Sequence, residues 1–254
     1  MIDIHSHVLP GIDDGAKDVP TFLEMARIAV AKGTRTLVCT PHHHNGTFEN
    51  IRAEIERALD TARELLRTEG IALELEMGGE VRIHPDVTER YRHGLVPTYG
   101  GRKGILIEFG GGSLPPGTDE TLMRLQDAGL RPVIAHPERQ PYLVQHEDRI
   151  AAWVEEGILL QVTAMSVTGQ FSAKIQATVK RWLQKGWIHA VASDAHDPVY
   201  RPPSLHGAFE TLSSWMGEDQ ARILTFDNPR AILHHTPVQQ VKMKSGLLGR
   251  LFSL

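Results

Sequence analysis

Side chains of the types that bind metal ions follow short apolar segments at many points along this chain. Segments such as Val133-Ile134-Ala135 are typical of strands buried on both faces of a sheet, and helical patterns separate most of them. Strands that alternate with helices form parallel βαβ units. In a barrel the carboxyl ends of all strands meet at one face, whereas an open sheet concentrates function at one switch point. A single α/β barrel is therefore the fold that brings together His5, His7, His42, Glu80, Glu108, His136, Asp194 and His196.

The apolar runs predict seven strands, at 2–5, 36–40, 71–77, 104–109, 131–136, 158–163 and 188–193. Apolar residues at helical spacing predict helices at 18–32, 48–69, 118–128, 148–156 and 173–185, each followed by a glycine stop signal. The helix over 48–69 has the clearest apolar stripe, which runs from Phe48 to Leu66. The region 82–101 is less regular.

Composition sets the class of protein. The chain has 254 residues, of which 41% are hydrophobic, and this is enough for one barrel domain over residues 1–240. The formal net charge of −4 lacks the basic excess that nucleic-acid binding requires, so we expect no nucleic-acid partner. Cys39 is the single cysteine, which excludes an internal disulfide and a thiolate-rich zinc site. Any metal ion must be held by nitrogen and oxygen ligands.

The two ends of the chain carry separate expectations. The amino terminus is short and acidic, without the basic start and the apolar core of about 7–15 residues that a cleavable signal needs. No stretch approaches the roughly 20 apolar residues that span a bilayer, so we expect a cytoplasmic protein. The tail over 241–254 is basic and apolar, and we expect it either to contact an acidic partner or a membrane surface, or to fray or pack on the barrel.

His5 and His7 form a pair two residues apart on the first predicted strand. Because side chains on a strand repeat with a period of two, both imidazoles point the same way and can bind one metal ion. Such a pair is a weak signal alone, since a single buried histidine is more often a structural residue than a ligand. The whole set of histidines and carboxylates at strand ends predicts a multinuclear metal site of the kind that hydrolases use.

Six motifs spread over nearly the whole chain carry a resemblance to a known family. They are MIDIHSH at 1–7, GIDDG at 11–15, TPHH at 40–43, GEVR at 79–82, HPER at 136–139 and ASDAH at 192–196. The chain resembles the bacterial protein-tyrosine phosphatases of the PHP (polymerase and histidinol phosphatase) superfamily, which are linked to capsule and exopolysaccharide synthesis. The resemblance implies a distorted (β/α)7 barrel of TIM-like form and a three-metal site. It also implies that the substrate is a phosphotyrosyl protein, namely a membrane-associated tyrosine autokinase.

The resemblance also implies how the ligands are divided among the ions. The first ion would be held by His5, His7, Glu80 and Asp194, the second by Glu80 as a bridge with Glu108 and His136, and the third by Asp14, His42 and His196. This mixed set suits manganese, with iron, zinc, magnesium and cobalt as alternatives. A hydroxide that the cations generate from water would attack phosphorus in line. Arg139, the last residue of HPER, and Arg201, which follows ASDAH, match arginines of the family and are the catalytic candidates for contacts to the phosphate.

Some residue assignments stay open at this stage. Asp13 could replace Asp14 as a ligand, because adjacent carboxylates in a turn flanked by glycine cannot be separated by sequence. Arg139 could pair with Glu138 instead of with phosphate. Gln161, near the end of the sixth predicted strand, is expected to have a structural role or a weak contact with substrate.

Other enzyme classes also have to be weighed. A related phosphoesterase acting on a small phosphomonoester such as histidinol phosphate would use nearly the same ligands. A cysteine phosphatase would need a reactive thiolate at Cys39, and an amidohydrolase commonly uses a carboxylated lysine where this chain has Glu108. His43, His44 and His84 are expected to be loop, surface or packing residues, or at most to support a ligand.

Overall fold

A computed structural model describes residues 1–243 of the chain. All paired strands in it run parallel, in the order β1-β2-β4 in one sheet and β3-β5-β6-β7-β8-β9 in the other. Their bounds are Ile2–Ser6 (β1), Thr36–Cys39 (β2), His42–His43 (β3), Glu74–Met77 (β4), Glu80–Arg82 (β5), Gly104–Glu108 (β6), Arg131–Ala135 (β7), Leu159–Thr163 (β8) and Ala190–Ala192 (β9).

At two places in the barrel, one strand is interrupted for two residues and then continues as a second, short strand. β2 leads into β3 across Thr40 and Pro41, and β4 leads into β5 across Gly78 and Gly79. The second break requires glycine, because a Cβ at position 79 would lie 2.1 Å from Cγ of Pro97. With each interrupted strand counted once, the strands within residues 1–243 number seven, as the sequence predicts.

The ring closes between the last strand and the first. Ser6 forms a parallel bridge with Ala195, and the Asp194 N–H donates to the carbonyl of His5 at 2.9 Å. The Ser193 N–H donates to Oδ1 of the buried Asp3 at 3.0 Å. These contacts join the two sheets into a distorted barrel, and the predicted (β/α)7 architecture is confirmed.

Helices alternate with the strands along the chain. The α-helices are Val19–Ala31 (α1), Arg52–Thr68 (α2), Val87–Arg92 (α3), Thr118–Asp127 (α4), Pro141–Gln145 (α5), Glu147–Glu155 (α6), Ala164–Thr168 (α7), Ala173–Lys185 (α8), His206–Met216 (α9), Glu218–Arg222 (α10) and Asn228–His234 (α11). Tyr99–Gly101 and Pro137–Arg139 are 3-10 turns, and Ile223–Asp227 is a π-helical turn.

The predicted start of the second helix is wrong. The apolar stripe runs back to Phe48, but α2 begins at Arg52. Asn45 Oδ1 accepts hydrogen bonds from the backbone N–H groups of Thr47 and Phe48, so this segment forms a turn instead of helix. Glu54 Oε2 then accepts from the Ile51 N–H and satisfies one of the free amides at the helix start.

The core has an inner and an outer part. Leu106 of β6 packs inside the barrel, whereas Ile105 and Ile107 on the same strand pack in the outer core. At the carboxyl-terminal side, Val241 is fully buried in the outer core and the Met243 N–H donates to Leu183 O at 3.0 Å. Val241 and Met243 of the predicted tail therefore pack on the barrel, and residues 244–254 lie outside the described residues. Within residues 1–243, no helix combines the length and apolar character needed to cross a membrane.

Candidate metal centre

The predicted ligands converge at the carboxyl-terminal end of the strands. The structure brings together His5, His7, Asp14, His42, Glu80, Glu108, His136, Asp194 and His196. Glu80 and His42 are the first residues of β5 and β3, directly after the two strand breaks. The breaks thus present these two side chains at the barrel mouth, beside Glu108 at the end of β6 and His136 and Asp194 just after β7 and β9.

The first group of donors contains the N-terminal histidine pair. Nε2 of His5 and Nε2 of His7 lie 3.2 Å apart. Glu80 Oε2 lies 3.5 Å from the His5 nitrogen and 3.3 Å from the His7 nitrogen. Asp194 Oδ1 approaches the same two atoms at 3.4 and 3.6 Å. His5, His7 and Glu80 thus form one compact donor group, and Asp194 approaches its two imidazoles from the end of the last strand. This geometry is compatible with the division that the resemblance implies.

Glu80 also belongs to a second group. His42 Nδ1 lies 3.1 Å from Glu80 Oε2 and 3.5 Å from Glu108 Oε1. His136 Nε2 lies 2.7 Å from the other oxygen of Glu80. Oε2 of Glu80 thus faces donors of both groups and Oε1 faces His136, a position that suits a carboxylate that bridges two cations.

The third group differs from the predicted division. Asp14 Oδ1 lies 3.4 Å from His42 Nε2 and 3.5 Å from His196 Nε2, as expected. His7 joins this group as well, with its ring centroid 4.0 Å from that of His196. His7 and His42 are each shared between two groups, so the three groups form one continuous cluster.

The geometry separates Asp13 from Asp14. Asp13 Oδ2 accepts a hydrogen bond from His7 Nδ1 at 2.7 Å, and its two oxygens also accept from the backbone N–H groups of Gly15 and His42. Its side chain is buried and fully engaged, whereas the Asp14 side chain is 52% exposed and faces two imidazoles. This geometry favours Asp14 as the ligand and Asp13 as the residue that orients His7.

The donor set fits divalent cations. Metal–ligand bonds of about 2.1 Å place neighbouring donors about 3.0–3.5 Å apart, close to the separations found here. Nδ1 of His42 is buried and near two carboxylates, yet within residues 1–243 it has no hydrogen-bond partner. A cation supplies the partner that this nitrogen lacks.

Charge within the cluster is balanced between imidazoles and carboxylates. Although burial opposes charge, Asp13 and Glu80 raise the pKa of His7 well above its ordinary value. Burial likewise opposes the effect of Asp14 and Glu108, which raise the pKa of His42 to about 10. Burial would raise the pKa of Glu80, but His5 and His136 hold it well below its ordinary range. Cations would replace the protons that these imidazoles carry.

Two of the candidate ligands have an unusual backbone conformation. His136 has a φ of 35° and Asp194 a φ of 53°, in the left-handed region that residues other than glycine rarely adopt. Each is held by a barrel hydrogen bond, from His136 N–H to Gln161 O and from Asp194 N–H to His5 O, both 2.9 Å. Such strain costs about 1–3 kcal/mol per residue and is concentrated at functional sites.

Both predicted arginines reach the cluster. Nη1 of Arg139 and Nη2 of Arg201 each donate to Oδ2 of Asp194, at 2.5 Å. Arg139 therefore pairs with Asp194 and not with Glu138, whose Oε1 accepts from Ser166 Oγ and the Thr163 N–H. The two guanidinium groups give one side of the site a positive charge.

Sequence reasoning did not find the partners of two supporting residues, Gln161 and Arg82. Gln161 Oε1 accepts from His5 Nδ1 at 2.9 Å and so fixes the ring that faces the first donor group. Its role is to orient a candidate ligand, and only the fold reveals it. Arg82 Nε donates to Glu108 Oε1 at 3.0 Å. Its spacing of two from Glu80 on one strand was the available signal, since such residues share a face.

Comparison with known proteins gives concordant results. The family model for capsular polysaccharide synthesis, CpsB/CapC, matches residues 1–234. The tyrosine-protein phosphatase YwqE of Bacillus subtilis (strain 168) is 36% identical over 249 residues, covering 96% of this chain and 98% of the relative. The tyrosine-protein phosphatase CpsB of Streptococcus pneumoniae is 30% identical over 238 residues, covering 92% and 98%. A solved structure from work on both relatives, described there as unique metal-dependent tyrosine phosphatases, has a TM-score of 0.91 at 34% identity and covers 96% of this chain and 100% of that one.

Proposed function

This chain belongs to the CpsB/CapC family of capsular polysaccharide synthesis proteins, and from that premise we infer that it is a metal-dependent protein-tyrosine phosphatase. The enzyme hydrolyses the phosphate ester of phosphotyrosine on a protein. One observation carries the proposal: three overlapping donor groups, joined by His7, His42 and Glu80, lie beside two arginines at the mouth of the barrel. Hydrolysis of a phosphate monoester needs both kinds of group, because the phosphoryl oxygens carry negative charge and further negative charge develops on the leaving oxygen.

We propose three divalent cations, with manganese as the natural ion. Carboxylate oxygens and imidazoles in nearly equal number form a set of intermediate hardness, which manganese, iron and zinc all accept. When bound, such cations polarise phosphoryl oxygens and lower the pKa of water, so that a nucleophile is available near neutral pH. Within the protein, Asp13 and Gln161 hold the rings of His7 and His5 in the orientation that binding requires.

Arg139 and Arg201 bind and orient the phosphate. Nε of Arg201 is buried, and among the described residues none accepts a hydrogen bond from it. This donor is therefore free to bond a phosphoryl oxygen without breaking an existing contact. The guanidinium carbon of Arg139 lies 4.9 Å from the ring centroid of Phe171. This cation–π contact helps to fix the position of the Arg139 side chain.

The mouth of the site also presents a surface suited to a polypeptide. Val199 and Tyr200, directly before Arg201, are 71% and 82% exposed. Their loop is held in place because Asp197 accepts hydrogen bonds from the backbone N–H groups of Val199, Tyr200 and Arg201. Beside Arg139 lies a cavity of about 240 Å³ whose lining includes Val144. We assign these apolar features to residues that flank the phosphotyrosine in a protein substrate.

The proposed substrate is a membrane-associated tyrosine autokinase, and the proposed compartment is the cytoplasm. A kinase of this type requires cytoplasmic ATP, and a reduced thiol at Cys39 fits the same compartment. The basic, apolar tail supports contact with the kinase or with the anionic membrane surface beside it.

Phosphate release from defined esters tests the activity and the substrate together. Metal-stripped enzyme, reconstituted with manganese, should hydrolyse a phosphotyrosyl peptide with a higher kcat/KM than histidinol phosphate. Arg201→Lys keeps the charge but loses Nε as a donor, so it should lower kcat/KM for both esters. A preference for histidinol phosphate would instead identify the enzyme as a phosphatase of small phosphomonoesters. Absence of phosphate release from either ester, with metal bound, would overturn the phosphatase assignment.

A truncation tests the tail. Because Val241 and Met243 pack on the barrel, the deletion should begin at residue 244 and not at 241. The shortened enzyme should keep its activity on a peptide but lose association with kinase or with vesicles that contain anionic lipid. Loss with vesicles alone indicates membrane contact, and loss with kinase alone indicates protein contact. Unchanged association with both rejects the role of the tail.

A further inference from the structure

A second cluster of metal-type side chains lies on the rim of the barrel mouth and shares no residue with the candidate metal centre. We propose that this rim cluster, made of His44, His84 and Asp86 with Glu49 beside it, binds one zinc ion. One donor atom from each of His44, His84 and Asp86 lies within 4.8 Å of the other two. The rings of His44 and His84 meet edge to face, with centroids 4.9 Å apart.

The barrel itself brings these residues together. His44 directly follows β3, and His84 comes two residues after the end of β5. These strands are parallel neighbours, with His42 opposite Glu80, so the segments that follow them leave the same edge of the sheet side by side. His44 has a φ of 56°, in the left-handed region, which turns the chain at this point. The proximity of the two imidazoles therefore follows from the register of the sheet.

The ligand set of the rim cluster suits a zinc ion. Two imidazoles and one carboxylate, with water completing the shell, form a ligand set that zinc commonly takes. The two nitrogen donors and one oxygen donor of the rim cluster favour zinc over manganese or magnesium. All three side chains are partly exposed, so the ion reaches them from solvent without passing through the active site.

A supporting carboxylate is already in place. His44 Nδ1 donates a hydrogen bond to Glu49 Oε2 at 2.6 Å, which leaves Nε2 of the same ring for the metal. A histidine that binds metal through one nitrogen usually donates the other N–H to a carboxylate in this way. His84 Nδ1 contacts Asp86 Oδ1. If no metal binds, the same contacts are two independent pairs, His44 with Glu49 and His84 with Asp86.

Zinc at the rim would join the loop after β3 to the loop after β5. The first of these loops covers a candidate ligand of the active site. Phe48 stacks on His42 with its ring nearly parallel, at a centroid distance of 6.0 Å, and the Asn50 side-chain amide donates to His42 O at 3.0 Å. An ion that ties His44 to His84 therefore holds Phe48 and Asn50 against His42. The rim cluster acts on the shape of the mouth and takes no part in the chemistry.

The test counts metal ions. The manganese-loaded full-length enzyme is dialysed against micromolar zinc chloride, and total manganese plus zinc per chain is measured by mass spectrometry. Total metal is used because zinc exchange at the inner sites does not change it. The wild type should hold one ion per chain more than the variant carrying His44→Gln and His84→Gln. The control is His206→Gln, which removes an exposed histidine paired with a single carboxylate, Glu210, at 3.3 Å; this variant should retain the wild-type count.

Thermal unfolding provides a second measurement. Zinc added to manganese-saturated enzyme should raise the Tm of the wild type and of His206→Gln by the same amount, and should raise the Tm of Asp86→Asn less. Asp86→Asn is a single substitution on the rim, so it serves if the double variant does not fold. Equal metal counts in the wild type and the double variant would overturn the proposal. An equal zinc-induced shift in Asp86→Asn and the wild type would also overturn it, because the contacts would then be plain histidine–carboxylate pairs.

Discussion

Two adjacent carboxylates, Asp13 and Asp14, should respond to the same substitution in different ways. Asp13 touches no second candidate ligand ring directly but holds His7 Nδ1 at 2.7 Å with both partners buried. Asp14 instead faces two candidate ligands, with its Oδ1 3.4 Å from His42 Nε2 and 3.5 Å from His196 Nε2. Replacing each by asparagine changes one charge and almost no volume. The comparison therefore isolates orientation of a ligand from direct binding of an ion.

The expected size of the Asp13→Asn effect follows from the contacts of that residue. Removing a carboxylate that supports a metal-bound histidine typically lowers metal affinity by about 10- to 100-fold, or roughly 1.4–2.7 kcal/mol. Asparagine offers one acceptor oxygen, whereas Asp13 accepts from His7, Gly15 and His42. One of these donors would then face an NH2 group, so the free energy of unfolding should also fall by about 1–3 kcal/mol.

Manganese titration of stripped enzyme provides the assay, with release of phosphate from a phosphotyrosyl peptide as the signal and metal per chain as the count. Asp13→Asn should need about 10–100 times more manganese for half-maximal activity but reach the wild-type count at saturation. Asp14→Asn should keep wild-type stability and bind one ion fewer per chain at the same concentration. The reverse pattern would exchange the two roles. Identical titrations for both variants would refute the reasoning that separates them.

Three further predictions concern other parts of the molecule. Burial raises the pKa of the Cys39 thiol, so it cannot serve as a nucleophile, and Cys39→Ser should keep kcat/KM within about twofold in the phosphopeptide assay. Tyr200→Ala should lower kcat/KM for a phosphotyrosyl peptide by about tenfold but leave kcat/KM for free phosphotyrosine unchanged. The control Met123→Ala replaces an exposed apolar residue of α4 and should change neither value. An equal loss on both substrates would show that Tyr200 does not bind the peptide. Burial lowers the pKa of His189 to about 4 from its ordinary 6.5, so the unfolded state binds more protons between these values, and stability that is present above pH 6.5 is lost as the pH falls toward 4. In urea unfolding, His189 should lower the free energy of unfolding by about 2 kcal/mol between pH 7 and pH 5. The variant His189→Gln should lose this part of the pH dependence.

Elements with local signals were predicted from the sequence almost to the residue. Helix α8 begins at Ala173 and ends at Lys185, as predicted, because Ser172 Oγ accepts from the Ile175 N–H and Gly186 adopts a left-handed φ of 76°. Both signals are contained in the sequence near the helix ends. The start of α2 was wrong because a local competitor, the turn at Asn45, outweighed a continuous apolar stripe. No helix was predicted between residues 197 and 240, where the structure contains α9, α10, α11 and a π-helical turn.

The residues of the candidate centre were predicted because their types and positions at strand ends are visible in one dimension. Their supporting contacts were not, since these depend on which strands become neighbours. Gln161 meets His5 across 156 residues of sequence, and the left-handed backbone of Asp194 is stabilised by a bond to the first strand. The same reason hid the rim cluster, because His44 and His84 lie near each other only when β3 and β5 pair in the observed register.

The site holds its shape through its own charge balance. Carboxylates with lowered pKa values, such as Glu80, lie among imidazoles whose pKa values are raised, such as His7 and His42, so neutral pH leaves opposite charges side by side in a buried cavity. Cations bound here would neutralise the carboxylates in place of protons on the imidazoles. The Arg201 and Arg139 guanidinium groups both donate to one oxygen of Asp194, which fixes them beside the candidate ligands. The contacts that hold the barrel together therefore also position the candidate ligands and the phosphate-binding groups, and groups positioned in this way need little reorganisation during a reaction.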